Sequence, residues 1–429
     1  MADTRKAGRF RRFLKILGPG LITGAADDDP SGIVAYTQAG AAYQYSFLWI
    51  AILQVPLMIA MQTMSARIGL VSGRDLAGAL REHYPRWVLW LSAGLLLVAN
   101  SVSIAADLDG ITAGLELLTG VSSIWFILPV VAFILGMLAF SSYASIARAF
   151  KWLTLSLLAY VAAGVLAGPD WSRILRATLL PQISWSRDYL VVFVGLFGTS
   201  ITPYLFFWQS AQEMEKQKDE GRQAAADRRG ASRKEIRDVS IDTGIGMVFS
   251  QIICYFTIIA AGATIYTAGQ HNIDTPLQAA QALSPIGKGT GTVLFCLGLI
   301  GTGLLGVPTL AASSAYAING VMNWQVGLGS PVLKARAFYG IIGISLLIGA
   351  ALDLVGISPV TLLFGAAVVN GLLAPPLMAV VLLLSNSREV MKGHANGRLL
   401  NVLGIAALAI MTITALWLTI SWLLSILPV

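Results

Sequence analysis

Residues 25–32 read Ala-Ala-Asp-Asp-Asp-Pro-Ser-Gly and interrupt an otherwise apolar run. Proline removes a helical hydrogen bond and pushes the preceding residue out of the helical region, so the sequence predicts a helix broken at Pro30. A second apolar run is interrupted in the same way at residues 198–204, Gly-Thr-Ser-Ile-Thr-Pro-Tyr, around Pro203. In lipid, such breaks are tolerated only where they line a protein cavity. The two stretches therefore predict paired broken helices around an internal site.

The composition requires lipid as the solvent. Of the 429 residues, 56% are hydrophobic and only 12% are charged, and the mean hydropathy is +0.73. A soluble domain carries about 25% charged residues. The apolar residues form long unbroken runs rather than alternating, which argues against a β-barrel. The net charge of +7 comes from basic residues in short loops, so it indicates membrane topology rather than nucleic-acid binding.

Apolar windows long enough to cross a bilayer predict eleven transmembrane helices. Their approximate bounds are 14–40, 46–68, 87–115, 123–141, 148–168, 189–212, 240–267, 289–318, 338–356, 359–385 and 400–427. The two breaks fall in segments 1 and 6, and this odd spacing of five segments reverses the second unit relative to the first. We therefore predict an all-α membrane protein with a LeuT-type 5+5 inverted repeat and broken helices 1 and 6.

The whole chain, residues 1–429, is predicted to form a single transmembrane transporter domain. The first repeat covers about 14–168, the second covers about 189–385, and an extra helix covers about 400–427. Lysine and arginine are concentrated in the loops that are cytoplasmic if the N-terminus is inside, above all in the run 216–237. This bias predicts a cytoplasmic N-terminus, an external C-terminus and, for so compact a chain, a bacterial inner membrane. The loop 213–239 is predicted to be a solvated helix or a flexible linker.

Three consecutive aspartates inside a span are the main functional signal. A charge at the bilayer centre is costly unless it is paired or hydrated, and no lysine or arginine falls at that depth by these bounds. A cation from solution is therefore the natural counter-charge. Asp29 directly precedes Pro30, and we predict that it binds the metal. Asp27 and Asp28 either line the approach to the site or are hydrogen-bonded to other helices, and both alternatives stay open.

Polar residues in two other segments are candidates for the cavity or ion path. Asp107 and Asp109 lie in segment 3, and Asn370 lies in segment 10. These side chains either line a cation or proton path or are hydrogen-bonded within the helix bundle. The sequence does not separate the two alternatives.

The predicted metal ligands are all oxygen atoms from the two breaks. The candidate positions are Asp29, Ala26, Ser31, Gly32, Thr199, Thr202 and Tyr204. Ala26 and Thr199 contribute freed backbone carbonyls, and Gly32 leaves room for water. All-oxygen ligation without thioether, imidazole or thiolate favours Mg²⁺, Ca²⁺ and Mn²⁺. Few charged ligands and small residues favour an ion that keeps several waters, so Mg²⁺ is the leading candidate and Mn²⁺ follows closely.

Several short motifs resemble the NRAMP family of divalent-metal transporters. They are Gly18-Pro19-Gly20, Asp29-Pro30, Gly40-Ala41-Ala42-Tyr43 with Leu48-Trp49, and Ala66-Arg67-Ile68-Gly69-Leu70 with Gly73-Arg74-Asp75-Leu76. The resemblance extends over nearly the whole chain. It implies the same fold and metal transport, with Asp29 as the aspartate ligand.

The departures from the family pattern are informative. Where typical members have Asp-Pro-Gly-Asn and Met-Pro-His, this chain has Asp29-Pro30-Ser31-Gly32 and Thr202-Pro203-Tyr204. The asparagine ligand, the sulfur ligand and the histidine of the proton route are therefore missing. A glutamate three positions after Asp107 is replaced by Gly110, and no arginine lies deep in segment 9. These changes resemble the Nramp-related magnesium transporter branch, which implies a partly hydrated Mg²⁺ or Mn²⁺ and uptake without proton coupling.

Two other functions remain as alternatives. One is a proton-coupled Mn²⁺/Fe²⁺ importer of the NRAMP type, against which the missing methionine argues. The other is an organic-solute carrier on the same scaffold, although three aspartates would repel an anionic solute. An enzyme is not expected, because no nucleophile–base pair or Cys/His cluster can be assembled from the spacing. We expect no cofactor, a divalent metal ion and the lipid bilayer as partners, and no nucleic acid; the oligomeric state stays open.

Overall fold

The computed structural model describes residues 18–140, 157–224, 226–324, 326–354 and 357–426. Within these ranges the regular structure is helical throughout, which confirms the predicted all-α class. The helices are α1 (Pro19–Asp27), α2 (Pro30–Tyr43), α3 (Leu48–Ser72), α4 (Leu76–His83), α5 (Arg86–Thr119), α6 (Ile124–Phe140), α7 (Leu158–Leu166), α8 (Trp171–Leu179), α9 (Arg187–Ser200), α10 (Pro203–Asp219), α11 (Arg233–Thr264), α12 (Pro276–Ala280), α13 (Lys288–Met322), α14 (Arg336–Asp353), α15 (Pro359–Asn386), α16 (Arg388–Met391) and α17 (Arg398–Ile426). A short 3₁₀ helix, Gln281–Ile286, joins α12 to the loop before α13.

Both predicted breaks are present. The first span stops at Asp27 and restarts at Pro30, and the sixth stops at Ser200 and restarts at Pro203. Each restart places a proline at the first helical position. A backbone N–H at this position has no acceptor within the helix, so proline, which lacks the N–H, fits there without loss of a hydrogen bond. The prolines therefore begin a new half-helix rather than merely kinking a continuous one.

Seven spans are long and apolar enough to cross a membrane by length and composition, within the described part of the chain. They are α3, α5, α9 with α10, α11, α13, α15 and α17. The remaining predicted spans are shorter: segment 1 is divided between α1 and α2, and segments 4 and 9 correspond to α6 and α14. Segment 5 contains α7. The parts of the predicted segments that lie outside the described residues are 14–17, 141, 148–156, 355–356 and 427.

Helices from the two halves of the chain pack around the breaks. α11 lies against α1, α2 and α3, while α13 lies against α5 and α15 lies against α9 and α5. At the crossing of α1 and α11 the backbones touch, because a Cβ added to Gly24 would collide with the Gly246 carbonyl. Small residues allow such close approach between membrane helices. This contact places α11 directly beside the first break.

The loop predictions need correction at two places. Residues 70–86, expected as a loop, contain the end of α3 and the short helix α4. The predicted solvated loop 213–239 begins instead inside α10, and Glu213 and Glu215 are only 1% and 4% exposed. The amphipathic helix α8, between α7 and α9, was also not anticipated. The charged residues of 213–239 predicted exposure to solvent. Neighbouring helices bury Glu213 and Glu215 instead, and the local sequence pattern does not show which helices will be neighbours.

Candidate metal site

Asp29 occupies the first break as the N-cap of α2. Its backbone is extended, with φ −68° and ψ 171°, as expected for a residue before proline. Its Oδ1 accepts hydrogen bonds from the Gly32 N–H at 2.9 Å and from the Ser31 hydroxyl at 2.5 Å. The helix N-terminus favours the charged carboxylate, which is 2% exposed. Asp29 is therefore held in place by its own helix, and its Oδ2 faces the second break.

Tyr204 links the two breaks. Its hydroxyl donates to the Ala26 carbonyl at 2.7 Å and lies 3.4 Å from Asp29 Oδ2. The Ala26 carbonyl, predicted as a metal ligand, thus has a protein donor in this structure. A carbonyl oxygen has two lone pairs, so it could still accept a second interaction. Tyr204 is completely buried and joins α10 to the C-terminal end of α1.

The second break has a similar internal bond. The Thr202 hydroxyl donates to the Thr199 carbonyl at 2.6 Å, so the carbonyl predicted as a ligand is again engaged by a hydroxyl. The side-chain hydroxyl of Thr199 is buried and accepts or donates no hydrogen bond among the described residues. Thr199 and Thr202 are each 1% exposed. The break therefore offers oxygen atoms and no sulfur.

Polar atoms lie close around Gly32. A Cβ placed there would lie 2.8 Å from the Thr199 hydroxyl, 3.3 Å from the Asp27 carbonyl and 3.4 Å from the Tyr36 hydroxyl. Three oxygen atoms thus converge on the point that any other side chain would fill. Neutral oxygens of this kind are suited to hydrogen bonding the waters of a hydrated hard cation.

Asp107 approaches the first break from α5. A Cβ built on Gly306 of α13 would be 2.9 Å from Asp107 Oδ2 and 3.0 Å from Asp29 Cβ, so the two aspartates flank this glycine. Both carboxylate oxygens of Asp107 are buried without a hydrogen-bond donor in the described structure. Gly110, one turn along α5, has no room for a side chain, since its Cβ would lie 2.9 Å from Pro30 Cβ.

Asp27 and Asp28 are both contacted by α11. The Ser250 hydroxyl donates to Asp27 Oδ2 at 2.7 Å and lies 3.3 Å from Asp28 Oδ1. Both aspartates are fully buried. They therefore lie at the interface of α1 with α11, close to the break, and their part in an ion path stays a prediction.

The other two predicted residues lie apart from these contacts. Asn370 of α15 donates to the Ser103 hydroxyl of α5 at 2.9 Å and is buried. Asp109 is 6% exposed and stands two positions after Asp107, so the two side chains point about 200° apart around α5. Gly371, next to Asn370, packs against Gly198 of the second break, where a Cβ on Gly198 would lie 2.4 Å from the Gly371 nitrogen.

Two contributors to the site were not predicted. Ser250 is a polar residue in the middle of segment 7, and Gly306 belongs to a glycine-rich part of segment 8. An isolated polar residue inside an apolar run was the available signal for Ser250. Nothing in the sequence could have shown that Gly306 separates two carboxylates.

The aspartates at the breaks have no cationic partner in the described residues. Every ion pair found there lies elsewhere, and none includes Asp27, Asp28, Asp29 or Asp107. Nor do three acidic, histidine or cysteine side chains meet closely enough within this part of the chain to hold a metal by themselves. A cation bound here would depend on one or two carboxylates, neutral oxygens and its own waters.

Comparisons with known proteins agree with this architecture. The profile of the Nramp family, described as natural resistance-associated macrophage protein-like, matches residues 20–421. The divalent metal cation transporter MntH of Caldanaerobacter subterraneus is 26% identical, over 92% of this chain and 90% of its own length. MntH of Deinococcus radiodurans is 27% identical, over 92% and 87%.

Solved structures show the same fold. A crystal structure of the Eremococcus coleocola manganese transporter superposes with a TM-score of 0.75 at 20% identity, covering 95% of this chain and 86% of that one. The nucleobase-cation-symport-1 family transporter Mhp1, in a closed conformation, gives a TM-score of 0.54 at 15% identity, covering 94% and 93%. Identities this low establish a shared fold alone.

Proposed function

The chain belongs to the Nramp family of membrane transporters, and on that premise we propose that it carries a hard divalent cation across the membrane. Partly hydrated Mg²⁺ is the first candidate and Mn²⁺ is the second. Transport is uncoupled from protons. The protein sits in a bacterial inner membrane with a cytoplasmic N-terminus, and its two repeats cover about 14–168 and 189–385.

One observation carries this proposal: Asp29 and Asp107 flank Gly306 without any basic partner among the described residues. Burying two such carboxylates is costly unless a cation or a proton compensates them. A divalent cation compensates both at once. The relatives named as divalent metal transporters support this class of substrate.

The preference for a hydrated, hard ion rests on the ligands that surround Asp29. Hydroxyl and carbonyl oxygens of Ser31, Thr199 and Thr202 are close by, and the residue before Pro203 is a threonine. Oxygen ligands suit Mg²⁺ and Mn²⁺, while a thioether would favour softer metals. Gly32 adds no side chain at the point where oxygens of Thr199, Asp27 and Tyr36 converge. We assign Asp29 as the direct ligand, with Ala26, Ser31, Thr199, Thr202 and Tyr204 as neutral oxygen donors to the ion or its waters.

The absence of proton coupling is proposed because Tyr204 replaces the family's histidine. A tyrosine hydroxyl that donates to the Ala26 carbonyl is poorly suited to exchange protons near neutral pH. Gly110 likewise replaces a carboxylate, and Pro30 fills the space where one could stand. A proton-coupled Mn²⁺/Fe²⁺ importer, as the manganese-transporting relatives suggest, is the second candidate.

The test is uptake into proteoliposomes with an internal pH dye. Wild type should take up Mg²⁺ and Mn²⁺ without acidifying the lumen, and Asp29→Ala should abolish both fluxes. Asp188→Asn removes an exposed carboxylate in the first turn of α9 and serves as the matched control. Proton influx that tracks metal influx would replace this proposal with the coupled importer. Failure to transport either metal would favour the organic-solute carrier.

A further inference from the structure

Glu213 is a buried acid that the candidate site does not use. It lies on α10, ten residues beyond Pro203, and is 1% exposed. Its Oε1 accepts a hydrogen bond from the Gln209 side chain at 3.0 Å. Its Oε2 is enclosed and has no hydrogen-bond partner in the described part of the chain. A carboxylate buried with one oxygen unsatisfied carries a desolvation cost that a bound cation would offset.

A row of polar groups connects Glu213 to the breaks. Gln209 and Glu213 are four residues apart, so they share one face of α10. The Thr23 hydroxyl of α1 donates to the other end of the same Gln209 amide. At 1.5 Å of rise per residue, Thr23 lies about 9 Å from Asp29 along the axis of α1. Glu213 lies about 16 Å from Thr202 along the axis of α10. The row therefore follows the contact between the half-helices α1 and α10 toward the side predicted to be cytoplasmic.

The charges around Glu213 leave its free oxygen available. Asp242 of α11 is close enough to interact electrostatically with Glu213, and its own oxygens accept the backbone N–H groups of Gly18, Gly20 and Leu21. Lys216 stands one turn along α10, and none of the ion pairs found among the described residues joins it to Glu213. Glu220 also acts on Glu213, so the charges near this carboxylate among the described residues are two further acids and one lysine that forms no ion pair with it.

We propose that Glu213 is a second cation-binding position, which receives the divalent cation after it leaves Asp29 on the predicted cytoplasmic side. The ligand is a hard divalent cation, bound by the Glu213 carboxylate and retained waters, while the Gln209 amide N–H donates to that carboxylate and holds it in place. Access opens when α1 separates from α10, because the Thr23–Gln209 contact otherwise closes the row. This inference rests on the proposed function, since it assumes that the same cation passes the breaks.

The test counts bound metal by equilibrium dialysis of the purified, full-length protein against millimolar Mn²⁺. The double variant Asp29→Ala/Glu213→Gln gives the background of adventitious binding. Relative to it, wild type should bind close to two ions per chain, and Asp29→Ala and Glu213→Gln close to one each. Glu215→Gln is the matched control, because Glu215 is also buried on α10 but is already paired with Lys218 at 2.9 Å and Tyr316 at 3.2 Å. It should bind as much Mn²⁺ as wild type.

A conservative variant guards against misfolding. Glu213→Asp keeps the charge and should retain close to two ions, whereas Glu213→Gln should lose one while eluting as a single size-exclusion peak. If Glu213→Gln binds as many ions as wild type, Glu213 is not a metal position. If Asp29→Ala alone leaves the count unchanged, the assignment of Asp29 fails while that of Glu213 stands. The two proposals therefore fail separately.

Discussion

At the scale of single residues, the site is defined by what surrounds Asp29 rather than by a cluster of acids. Its carboxylate is oriented by two bonds from the start of its own helix and is approached by Tyr204 from the other broken helix. The Ser31 and Tyr204 hydroxyls stand beside it as neutral oxygens. Neutral oxygens next to a carboxylate favour an ion that is bound together with part of its hydration shell.

Gly32 tests whether the oxygens that converge beside Asp29 matter for transport. In Gly32→Ala, the new Cβ would press on the Thr199 hydroxyl, a side-chain end that can rotate away, so folding should survive. The displaced hydroxyl would no longer be in place to bind the ion or its waters, and we expect the KM for Mg²⁺ uptake to rise about tenfold, equivalent to 1.4 kcal/mol. Flux in proteoliposomes measures this. Gly94→Ala, at an exposed glycine of α5 with nothing within 4 Å of its Cβ, should change nothing. An unaltered KM in Gly32→Ala would argue against a role of the Thr199 hydroxyl in binding the ion.

Asp75 gives a prediction about pH. It caps α4 and accepts the Gly78 N–H at 2.6 Å, and burial raises the pKa of its carboxyl to about 6. The folded protein thus holds this proton more tightly than the unfolded chain, so its contribution to stability is complete below about pH 4 and is lost as the pH rises to about 6. Relative to Asp75→Asn, wild type should lose on the order of 3 kcal/mol over that window.

The measurement for Asp75 is the difference in Tm between the two proteins from pH 4 to pH 7, in one detergent. The Tm of wild type should fall relative to the Tm of Asp75→Asn as the pH rises, and the difference should become constant above about pH 7. A constant difference would mean that Asp75 has the same proton affinity folded and unfolded.

At the scale of elements, the half-helix α1 is held at both ends. Its N-terminal N–H groups are capped by Asp242 of α11, and its C-terminal carbonyl at Ala26 is bonded by Tyr204 of α10. The helices α1 and α11 also meet through Gly24 and Gly246. Broken helices place short half-helices around a central ion site, and these contacts tie one of them to α10 and α11.

Removing the cap at Asp242 should loosen the N-terminal end of α1. Asp242→Ala leaves three backbone N–H groups without their charged acceptor, and hydrogen bonds to charged groups contribute about 1.5–3 kcal/mol. We expect faster amide hydrogen exchange at residues 18–21. Asp238→Ala, one turn earlier on α11, removes only an exposed pair with Lys234 and is the control. Unchanged exchange in Asp242→Ala would show that packing alone holds α1.

At the scale of the whole molecule, the helices turn large apolar side chains outward, as expected for lipid contact. Trp125, Phe140, Val402 and Ile413 are among those more than half exposed. The ion pairs described, in contrast, join residues in or beside segments predicted to be cytoplasmic, such as Arg74 with Glu82 and Arg222 with Glu235. The N-inside orientation itself stays a prediction from the lysine and arginine bias of the loops.

Labelling of single cysteines can test that orientation. Ser184→Cys and Gln223→Cys change exposed positions on opposite predicted sides, and the native Cys254 and Cys296 are buried. A membrane-impermeant maleimide should modify Ser184→Cys in intact cells, and Gln223→Cys only after permeabilisation. The reverse pattern would invert the topology and with it the direction assigned to Glu213.

The sequence by itself determined the solvent, the broken helices and the first candidate ligand. Hydrophobic runs fix membrane insertion, and Pro30 and Pro203 fix the breaks, because both effects act within one segment. The cap that positions Asp29 is equally local, since its donors stand two and three residues away.

Only the tertiary structure decided which other groups meet Asp29. Ser250 reaches Asp27 across 223 residues, Tyr204 reaches Ala26 across 178, and Asp107 meets Asp29 over Gly306. Burial of Glu213 was decided in the same way, against the loop that its charged neighbours predicted. The physical reason is that the faces by which packed helices touch depend on the packing of the whole bundle. No periodicity within one segment carries that information.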